Sequence, residues 1–462
     1  MGVPRPRWVS GGLTARRAPS SGLRPTVRFV LASAATLAWV AFGVWVSQPW
    51  RDDLDDALGP VLAWVIPVFL AYLPGLVIGF MISTLLVTRY RELPLEPPEG
   101  DWPRGEWPPV TILIAAWNER EAIVATLERI AGLTYEGPVQ VVVADNNSTD
   151  DTGALADAAC ARLGLDYSRI FVEEQGKHRA LNASLATVTT PLVVTVDADT
   201  HLQAESLTRL VVRLTSTPQD QHVSACAGAL IVENPRASFI TRMQQWDYRL
   251  GINGVKRMQA AYNTALVAQG AFSGYWASDL RAVGGWPDAI GEDIVLTWAM
   301  LGSRGIVQYE PLAVGFTVVP ESLVRLLSQR SRWARGMLEG LRVHPPPRQP
   351  RLLAKFVAGI DYLVPFLDVG VIFFWVPGVI LFLFGYPLIF GWWSMLLLPF
   401  TLAVFGFLQR WQARHVFETL AIRTQPDKRG FLGYLFLYQP LTSAAALRGY
   451  GRHLLGTQRR WT

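Results

Sequence analysis

Long apolar runs on both sides of a segment of ordinary composition restrict the fold more than any other feature of the sequence. The first two run from Phe29 to Val46 and from Val61 to Val87. Each is near the ~20 residues that a helix needs to cross a bilayer. Between Leu363 and Gln409 the only charged residue is Asp368, and the uncharged residues 385–391 can divide this stretch into two spans. The sequence therefore predicts helical membrane segments before and after a soluble middle.

The flanking charges predict how these segments are oriented. Residues 1–28 carry six arginines and no acid, and Arg89 and Arg91 follow the second run. Basic residues accumulate on the cytosolic side, so we expect both ends of this hairpin in the cytosol, with a short acidic loop between its helices. The uncharged stretch 430–447, interrupted by Pro440, is open between a further span and a re-entrant or interfacial segment.

Three parts follow from these boundaries. Residues 1–100 form a basic cytosolic tail and a two-helix transmembrane hairpin. Residues 101–345 form a soluble domain, and residues 346–462 form two to three spans and a basic tail. A Pro- and Gly-rich linker at 92–108 separates the first part from the second.

Composition limits the function classes. Only 17% of residues are charged, against about a quarter in soluble domains. The net charge of +5 clusters at membrane flanks and forms no basic stripe interleaved with aromatics, so the sequence predicts no nucleic-acid partner. The only cysteines, Cys160 and Cys226, exclude a disulfide framework and suit a reducing cytosol.

The middle segment alternates strand and helix patterns. Buried-strand patterns cover 110–117, 139–145 and 191–200, and helical patterns cover 120–132 and 154–164. Alternation of this kind predicts a largely parallel sheet, with polar residues gathered at the carboxyl edge where its strands end.

Acidic and polar groups follow two of these strands. Asp197 and Asp199, either side of Ala198, can hold Mg²⁺ or Mn²⁺ against a diphosphate, although a polar loop is the alternative reading. Asp145, followed by Asn147, can accept from the N3–H of a uracil ring, or can belong to a turn that caps the next helix.

Three further groups have chemical and structural readings. Lys177 after a glycine can approach a phosphate or can be an exposed residue at a helix start. Asp293, beside Glu292, can be a general base or a helix-capping acid. Gln329, Arg332 and Trp333 share one helix face, where they can bind a sugar and a diphosphate or can form an interfacial belt.

The order and spacing of these motifs resemble the processive family 2 glycosyltransferases, which include bacterial cellulose, chitin-oligomer, hyaluronan and poly-β-1,6-N-acetylglucosamine synthases. The resemblance covers residues 108–340. The matching stretches are 116–119, 145–148, 176–182, 197–199, 269–274, 284–286, 291–293 and 329–333.

This resemblance implies an α/β GT-A fold, Rossmann-like with a mostly parallel sheet, as a cytosolic domain inserted between α-helical transmembrane segments. It implies inverting transfer from a UDP-sugar with Mg²⁺ or Mn²⁺. The implied residues are catalytic Asp293 and Glu292; donor-binding Ala116, Asn118, Glu119, Asp145, Asn147, Lys177, Asp197 and Ala198; metal-binding Asp197 and Asp199; and acceptor-binding Gln329, Arg330, Arg332, Trp333 and Gly274.

Two departures from the family pattern are present. Residues 145–148 read DNNS where DDGS is commoner, which alters the contacts to the nucleobase. Residues 291–293 read GED where TED is commoner, which keeps the acid pair and changes its neighbour.

The predicted function is a multi-pass enzyme of the cell membrane that polymerises a β-linked polysaccharide from a UDP-sugar, with UDP-N-acetylglucosamine favoured and UDP-glucose open. Its predicted partners are the donor, a growing polysaccharide or lipid-linked acceptor, membrane lipids, and an export or regulatory subunit. The alternatives are single sugar transfer to a lipid acceptor and, in another class, an inactive membrane scaffold or transporter.

Overall fold

A computed structural model describes residues 23–100, 102–216, 221–390, 397–422 and 427–456. Most of both predicted basic tails, residues 1–22 and 457–462, lies outside the described residues. The helices that precede the soluble domain are α1 (Pro25–Val46), α2 (Gln48–Leu58), α3 (Pro60–Pro67) and α4 (Leu73–Val87), with a π-helical turn Val68–Tyr72 joining the last two.

The soluble domain contains eight strands and nine helices in the described residues. In chain order its elements are β1 (Val110–Ala116), α5 (Ile123–Ala131), β2 (Val139–Asp145), α6 (Thr152–Leu163), β3 (Asp166–Phe171), α7 (Lys177–Thr187), β4 (Leu192–Val196), β5 (Thr200–Leu202), α8 (Ser206–Thr215), β6 (Val223–Val232), α9 (Phe239–Trp246), a π-helical stretch Asp247–Ile252, α10 (Asn253–Ala260), β7 (Phe272–Trp276), α11 (Ala277–Ala282), α12 (Glu292–Gly302), β8 (Ile306–Thr317) and α13 (Leu323–Val343).

Helices make up the rest of the described chain. They are a 3₁₀ turn Pro346–Arg348, α14 (Leu352–Ile360), α15 (Val364–Gly370), a π turn Val371–Trp375, α16 (Val376–Leu383), α17 (Leu397–Gln412), a π turn Ala413–Phe417, α18 (Lys428–Gly433), a π turn Tyr434–Tyr438 and α19 (Gln439–Leu454).

The strands form one mixed sheet in the order β3-β2-β1-β4-β7-β6-β8-β5. Strands β3, β2, β1 and β4 run parallel, as predicted. Strand β7 is antiparallel to both β4 and β6, and β5 is antiparallel to β8. The parallel half places the ends of β1, β2 and β4 at one edge, where Ala116 lies in register with Asp145.

The structure differs from the sequence predictions before α3 and at β3, and it adds the strands β5 to β8, for which the sequence analysis gave no separate pattern. The stretch between the first two apolar runs is the helix α2 rather than a loop, because Pro49 suits a first helical turn and Trp50 and Leu54 are buried on one face. Strand β3 was not predicted, because it lies at the sheet edge and exposes alternate residues.

Apolar side chains pack on both faces of the sheet. One core contains residues of α5, α6 and α8. The other contains residues of α7 and α12 and extends without interruption to Phe80 of α4, Val357 of α14 and Leu408 of α17. The Phe80 ring stacks on Tyr262, whose hydroxyl lies 2.7 Å from Thr84 Oγ1. The α/β domain and the apolar helices are therefore packed as one body.

Three helical stretches of the described residues are long and apolar enough to cross a membrane: Pro25–Val46, Pro60–Val87 and Leu352–Leu383. Residues 430–447, which the sequence left open, are helical and pack on α13 and α9. Just beyond them in α19, Gly449 lies so close to α13 that a Cβ would come within 2.4 Å of Ser331 O.

Candidate active site

The loops after β1 and β2 are joined by hydrogen bonds at the carboxyl edge of the sheet. Asn118 has a left-handed φ of 57°, and its side-chain oxygen accepts from Thr149 N at 2.8 Å. Its own backbone N donates to Ser148 Oγ at 3.1 Å. Asn147 also has a positive φ, 62°, which asparagine tolerates better than most residues. The two loops thus form a single polar rim beside Ala116.

Asp145 lies at the base of this rim and is buried. Its Oδ1 accepts from Ser148 N at 3.0 Å, and its Oδ2 lies 3.6 Å from Arg169 Nη1. A Cβ at Gly153 would come within 2.7 Å of Oδ2, so glycine is needed there for the carboxylate to keep its position. This arrangement fixes the carboxylate between the loop after β2 and the Arg169 guanidinium.

Lys177 begins α7 and points to the end of β4. Its Nζ donates to Asp197 Oδ1. The charges of Asp197 and Glu292 outweigh the effect of burial and raise the Lys177 pKa, so the amine is cationic. A Cβ at Gly270 would lie 2.9 Å from Nζ, so a larger residue at 270 would displace the amine from this position.

Three carboxylates crowd together beside this amine. Burial and the neighbouring Asp197 raise the pKa of Asp199 to about 6. Burial, Asp199 and Asp197 raise the pKa of Glu119 to about 7. Raised carboxyl pKa values of this kind arise where several negative charges are close together and partly shielded from water. A bound cation would reduce the repulsion between these charges.

Glu292 and Asp293 open α12 on the other side of Lys177. Burial and the charge of Asp293 raise the pKa of Glu292 to about 8. Burial also raises the pKa of Asp293, against the opposing charges of Lys177 and Lys256. Since two adjacent buried carboxylates share this space, their titrations are linked and both are displaced towards higher pH.

Lys256, on α10, was not singled out in the sequence. It is buried, donates from Nζ to Val267 O at 2.8 Å, and has its pKa lowered to about 7 by burial. Tyr248 was also missed; it is buried, and the charges of Arg330, Asp247, Asp199 and Asp197 all act on its hydroxyl. Neither residue lies in a recognisable motif, so only the three-dimensional packing reveals them.

The helix α13 carries the predicted acceptor group and is tied to the α12 turn. Glu339 Oε2 accepts from Ile290 N at 2.8 Å. Trp333 leaves 41% of its surface exposed, and the Arg330 guanidinium lies 4.1 Å from its ring centroid. The Gln329 side-chain oxygen is buried without a partner among the described residues.

Arg330 and Arg332 have different surroundings. Arg330 Nη2 donates to Asp247 Oδ2 at 2.9 Å, and the Tyr438 hydroxyl donates to the same oxygen at 3.0 Å. Arg332 Nη1 lies 3.4 Å from Ser328 Oγ on its own helix. Arg330 is thus held by partners outside its own helix, and Arg332 contacts a residue within α13.

Two predicted site residues, Ala198 and Gly274, pack into the core of the domain. Ala198 is buried, and its carbonyl accepts from Thr126 Oγ1 at 2.6 Å. A Cβ at Gly274 would meet Leu210 and Leu214 of α8 at 3.2 and 3.3 Å, which is the packed face of the sheet. The glycine of this stretch that faces Lys177 is Gly270.

Within the described residues, no group of three His, Cys, Asp or Glu side chains forms a ready metal-ligand set. Asp197 and Asp199 supply two hard oxygen donors, and Asp197 already faces the Lys177 cation. Such a pair fits a divalent ion whose remaining ligands come from a diphosphate and water, as Mg²⁺ commonly takes them.

Comparisons with known proteins agree with this geometry. Residues 111–284 match the family described as Glycosyl transferase family 2. An N-acetylglucosaminyltransferase of Mesorhizobium japonicum is 34% identical over 254 residues, covering 52% of this chain and 58% of that protein. A poly-beta-1,6-N-acetyl-D-glucosamine synthase of Staphylococcus aureus is 31% identical over 232 residues, covering 49% and 54%. The chain spans little more than half the length of these curated relatives.

The fold has a solved counterpart. A mannosyltransferase from Pyrobaculum calidifontis, solved in complex with GDP-Man and Mn²⁺, has a TM-score of 0.54 and 19% identity, covering 85% of this chain and 99% of that one. This likeness confirms the predicted α/β fold of the GT-A type, with a mixed, mostly parallel sheet.

Proposed function

Because the chain carries a family 2 glycosyltransferase domain over residues 111–284, we propose that it is a membrane-embedded inverting enzyme that extends a β-linked polysaccharide from a UDP-sugar. UDP-N-acetylglucosamine is the favoured donor, with UDP-glucose as the second. The names of the two relatives, both acting with N-acetylglucosamine, support that order. A three-part organisation, with residues 1–100 and 346–462 anchoring the enzyme domain 101–345, belongs to the same proposal.

The observation that carries the proposal is the position of Lys177 between two acidic groups. Its Nζ contacts Asp197 after β4, and the charges of Glu292 and Asp293 at the start of α12 also act on it. A donor-binding group and a candidate base thus lie beside one amine at the carboxyl edge of the sheet. That is where ligands bind in open α/β folds.

The donor is held by this chain along the edge of the sheet. The rim formed by Asn118, Asp145 and Asn147 accepts the nucleobase, and Lys177 approaches the diphosphate. Asp197 and Asp199 would hold Mg²⁺ or Mn²⁺, which stabilises the negative charge of the departing UDP. Glu119 lies close enough to feel both carboxylates and shares their excess charge.

Asp293 takes the proton from the acceptor hydroxyl. Lys177 and Lys256 oppose the effect of burial on the Asp293 pKa and favour its ionised form. The ionised carboxylate then removes the hydroxyl proton as that oxygen bonds to the anomeric carbon and the UDP bond breaks. Attack opposite the leaving group turns an α-linked donor into a β-linked product.

The acceptor lies on α13 in this proposal. Gln329, Arg332 and Trp333 border it, with the exposed indole face of Trp333 available to stack on a sugar ring. The three long apolar helices support a location in the cell membrane. Packing of α4 and α14 into the core of the domain supports growth of the polymer directly at the membrane surface, where an export or regulatory subunit would take it up.

The test is incubation of purified full-length protein with a panel of UDP-sugars and Mg²⁺ or Mn²⁺, followed by sizing of the product. We expect a polymer from one UDP-sugar, and loss of about 100- to 10,000-fold of the rate in Asp293→Asn, which removes the base. If the product is a single sugar on lipid, the enzyme transfers one sugar and does not polymerise. UDP release undiminished in Asp293→Asn would refute the assigned base and favour an inactive scaffold or transporter.

A further inference from the structure

A cavity lies away from the acidic cluster, between the helical residues 247–260 and the end of α17. It opens partly to solvent, and the cleft with its mouth takes up about 300 Å³. Two arginines, Arg249 and Arg257, line one wall, and Trp411 and Gln412 line the opposite wall. The cavity touches none of the residues assigned above to the donor or the acceptor.

The two arginines lack the partners that buried arginines usually have. Arg249 is only 4% exposed, its Nε is buried without a hydrogen bond, and Arg257 Nη2 is in the same situation. In the part of the chain that the structure describes, no ion pair or side-chain hydrogen bond reaches either guanidinium. Burial lowers the pKa of each to about 10, so both remain cationic at neutral pH.

Aromatic rings compensate for only part of this charge. Arg257 Cζ lies 3.4 Å from the Trp411 ring centroid, and Arg249 Cζ lies 4.9 Å from that of Phe417. A ring face attracts the cation but accepts few of the N–H donors in the guanidinium plane. Burying two such charges without an anion is costly, so the cavity has the positive charge expected of an anion-binding site.

Two amide oxygens add a second requirement. Asn253 Oδ1 and Gln412 Oε1 are buried and have no hydrogen-bond donor among the described residues. The Asn253 amide nitrogen is fixed by donation to Leu230 O at 3.0 Å, which leaves the oxygen free to accept. The complementary ligand therefore combines an anionic group for the arginines with hydroxyl or amine donors for the amides. A phosphate ester of glycerol has both.

The surroundings indicate where such a group comes from. Helix α17 is largely apolar and exposes Leu402 and Phe407, and it ends at the cavity, followed by the exposed Arg414. An apolar helix with basic residues at one end places that end in the headgroup layer of a membrane. We propose that the cavity binds the phosphate and glycerol of an anionic glycerophospholipid headgroup.

The experiment compares full-length wild-type protein with the double variant Arg249→Gln/Arg257→Gln. Each is delipidated in detergent, and its Tm is measured with added phosphatidylglycerol, phosphatidylcholine, glycerol 3-phosphate or inorganic phosphate. Phospholipid that remains bound after purification from mixed vesicles is identified by mass spectrometry. Arg236→Gln, an exposed arginine, is the matched control.

We expect phosphatidylglycerol to raise the wild-type and Arg236→Gln Tm and to leave the double variant unchanged. The double variant should retain phosphatidylglycerol at least about tenfold less, which is the loss of one or more charge-assisted hydrogen bonds. If glycerol 3-phosphate alone raises the Tm equally, the cavity binds an anion, and the ligand is a soluble phosphate ester and not a lipid. Equal lipid retention and equal Tm gain in the double variant would overturn the proposal.

Two features keep the result interpretable. Should the double variant not fold, Arg257→Gln alone is used, because that side chain is only partly buried, and Arg257→Lys should restore part of the Tm gain by keeping the charge. Neither readout requires sugar transfer, so failure of this proposal and failure of the proposed enzyme function are distinguishable.

Discussion

Gly291 and Gly336 pack backbone against backbone. A Cβ on Gly291 would come within 2.7 Å of Gly336 Cα, and a Cβ on Gly336 would come within 2.8 Å of Gly291 Cα. The first residue precedes the Glu292–Asp293 pair, and the second lies one helical turn after Trp333. The glycine that departs from the commoner family pattern at position 291 therefore allows the α12 turn to touch α13.

Gly336→Ala should separate these two elements. The added methyl has only backbone to push against, and overpacking of this kind costs about 1–3 kcal/mol. A displacement of Asp293 by a fraction of an ångström to one ångström should lower kcat by about tenfold to a hundredfold. Gly302→Ala is the matched control, since Gly302 ends the same α12 helix and nothing lies within 4 Å of its Cβ position. That variant should keep full activity and unchanged or slightly higher Tm; equal losses in both variants would contradict the contact's role.

Asp199→Asn should remove much of the response to divalent metal. One of two hard donors becomes a weaker amide ligand, so metal-stimulated UDP release should fall by about a hundredfold or more. Titration of Mg²⁺ and Mn²⁺ against initial rate gives the measurement. Asp166→Asn, at an exposed position on β3, should titrate as the wild type does. A metal dependence unaltered in Asp199→Asn would place the ion elsewhere.

Lys256→Met should change the pH profile of transfer. The Lys256 charge lowers the pKa of Asp293, so its removal should shift the acidic limb of kcat/KM to higher pH. Burial of Lys256 also makes the free energy of unfolding depend on pH. Because burial lowers the Lys256 pKa from 10.5 to about 7, the full free energy of unfolding is present above pH 10.5, where the amine is neutral in both states. It falls as the pH drops from 10.5 towards 7, because the unfolded chain takes up the proton first.

The stability of Lys256→Met should therefore gain on wild type as the pH falls across that window. Thermal unfolding at several pH values, together with the rate profile, checks both effects. Lys428→Met, at an exposed residue, should follow the wild type in both. If the acidic limb does not move, the Lys256 charge does not act on the proposed base, Asp293.

Asp247→Asn should weaken the attachment of α13 to the last helices. It leaves the Arg330 guanidinium, only 11% exposed, without its counter-charge, at a cost of about 3 kcal/mol. Tyr438→Phe removes one hydrogen bond to the same carboxylate and should cost about 1 kcal/mol. Glu128→Gln breaks an ion pair whose side chains are 57% and 49% exposed and should cost no more than about 0.5 kcal/mol. Chemical or thermal unfolding in one detergent ranks the three.

Periodicity predicted the parallel half of the sheet well because β1, β2 and β4 are continuous apolar runs. Their ends could be recognised because Asp145 and Asp197 interrupt such runs abruptly. The exposed edge strand β3 has no such run. It is a strand because its backbone pairs with β2, which its own residues do not reveal. Antiparallel β7 could not be recognised as reversed, since direction depends on which neighbour a strand meets.

Motifs identified the charged residues of the candidate site but not the groups that surround them. Gly270 and Gly274 occur in the same stretch, but Gly270 precedes β7 and lies against Lys177, whereas Gly274 lies within β7 and packs against α8. Sequence order alone does not distinguish these faces. Lys256 faces Asp293 from an element 37 positions earlier in the chain, a pairing that only tertiary packing produces.

The ion pair at Asp247 also sets an order of events during synthesis. Its carboxylate is made before α13, whereas Tyr438, which donates to the same oxygen, emerges more than a hundred residues after Arg330. A nascent chain synthesised up to Gly336 already has the carboxylates proposed to bind the donor but not the full set of contacts around Trp333. Completion of the acceptor side therefore waits for translation of the final helices, by which time the apolar helices that pack against the domain have already been made.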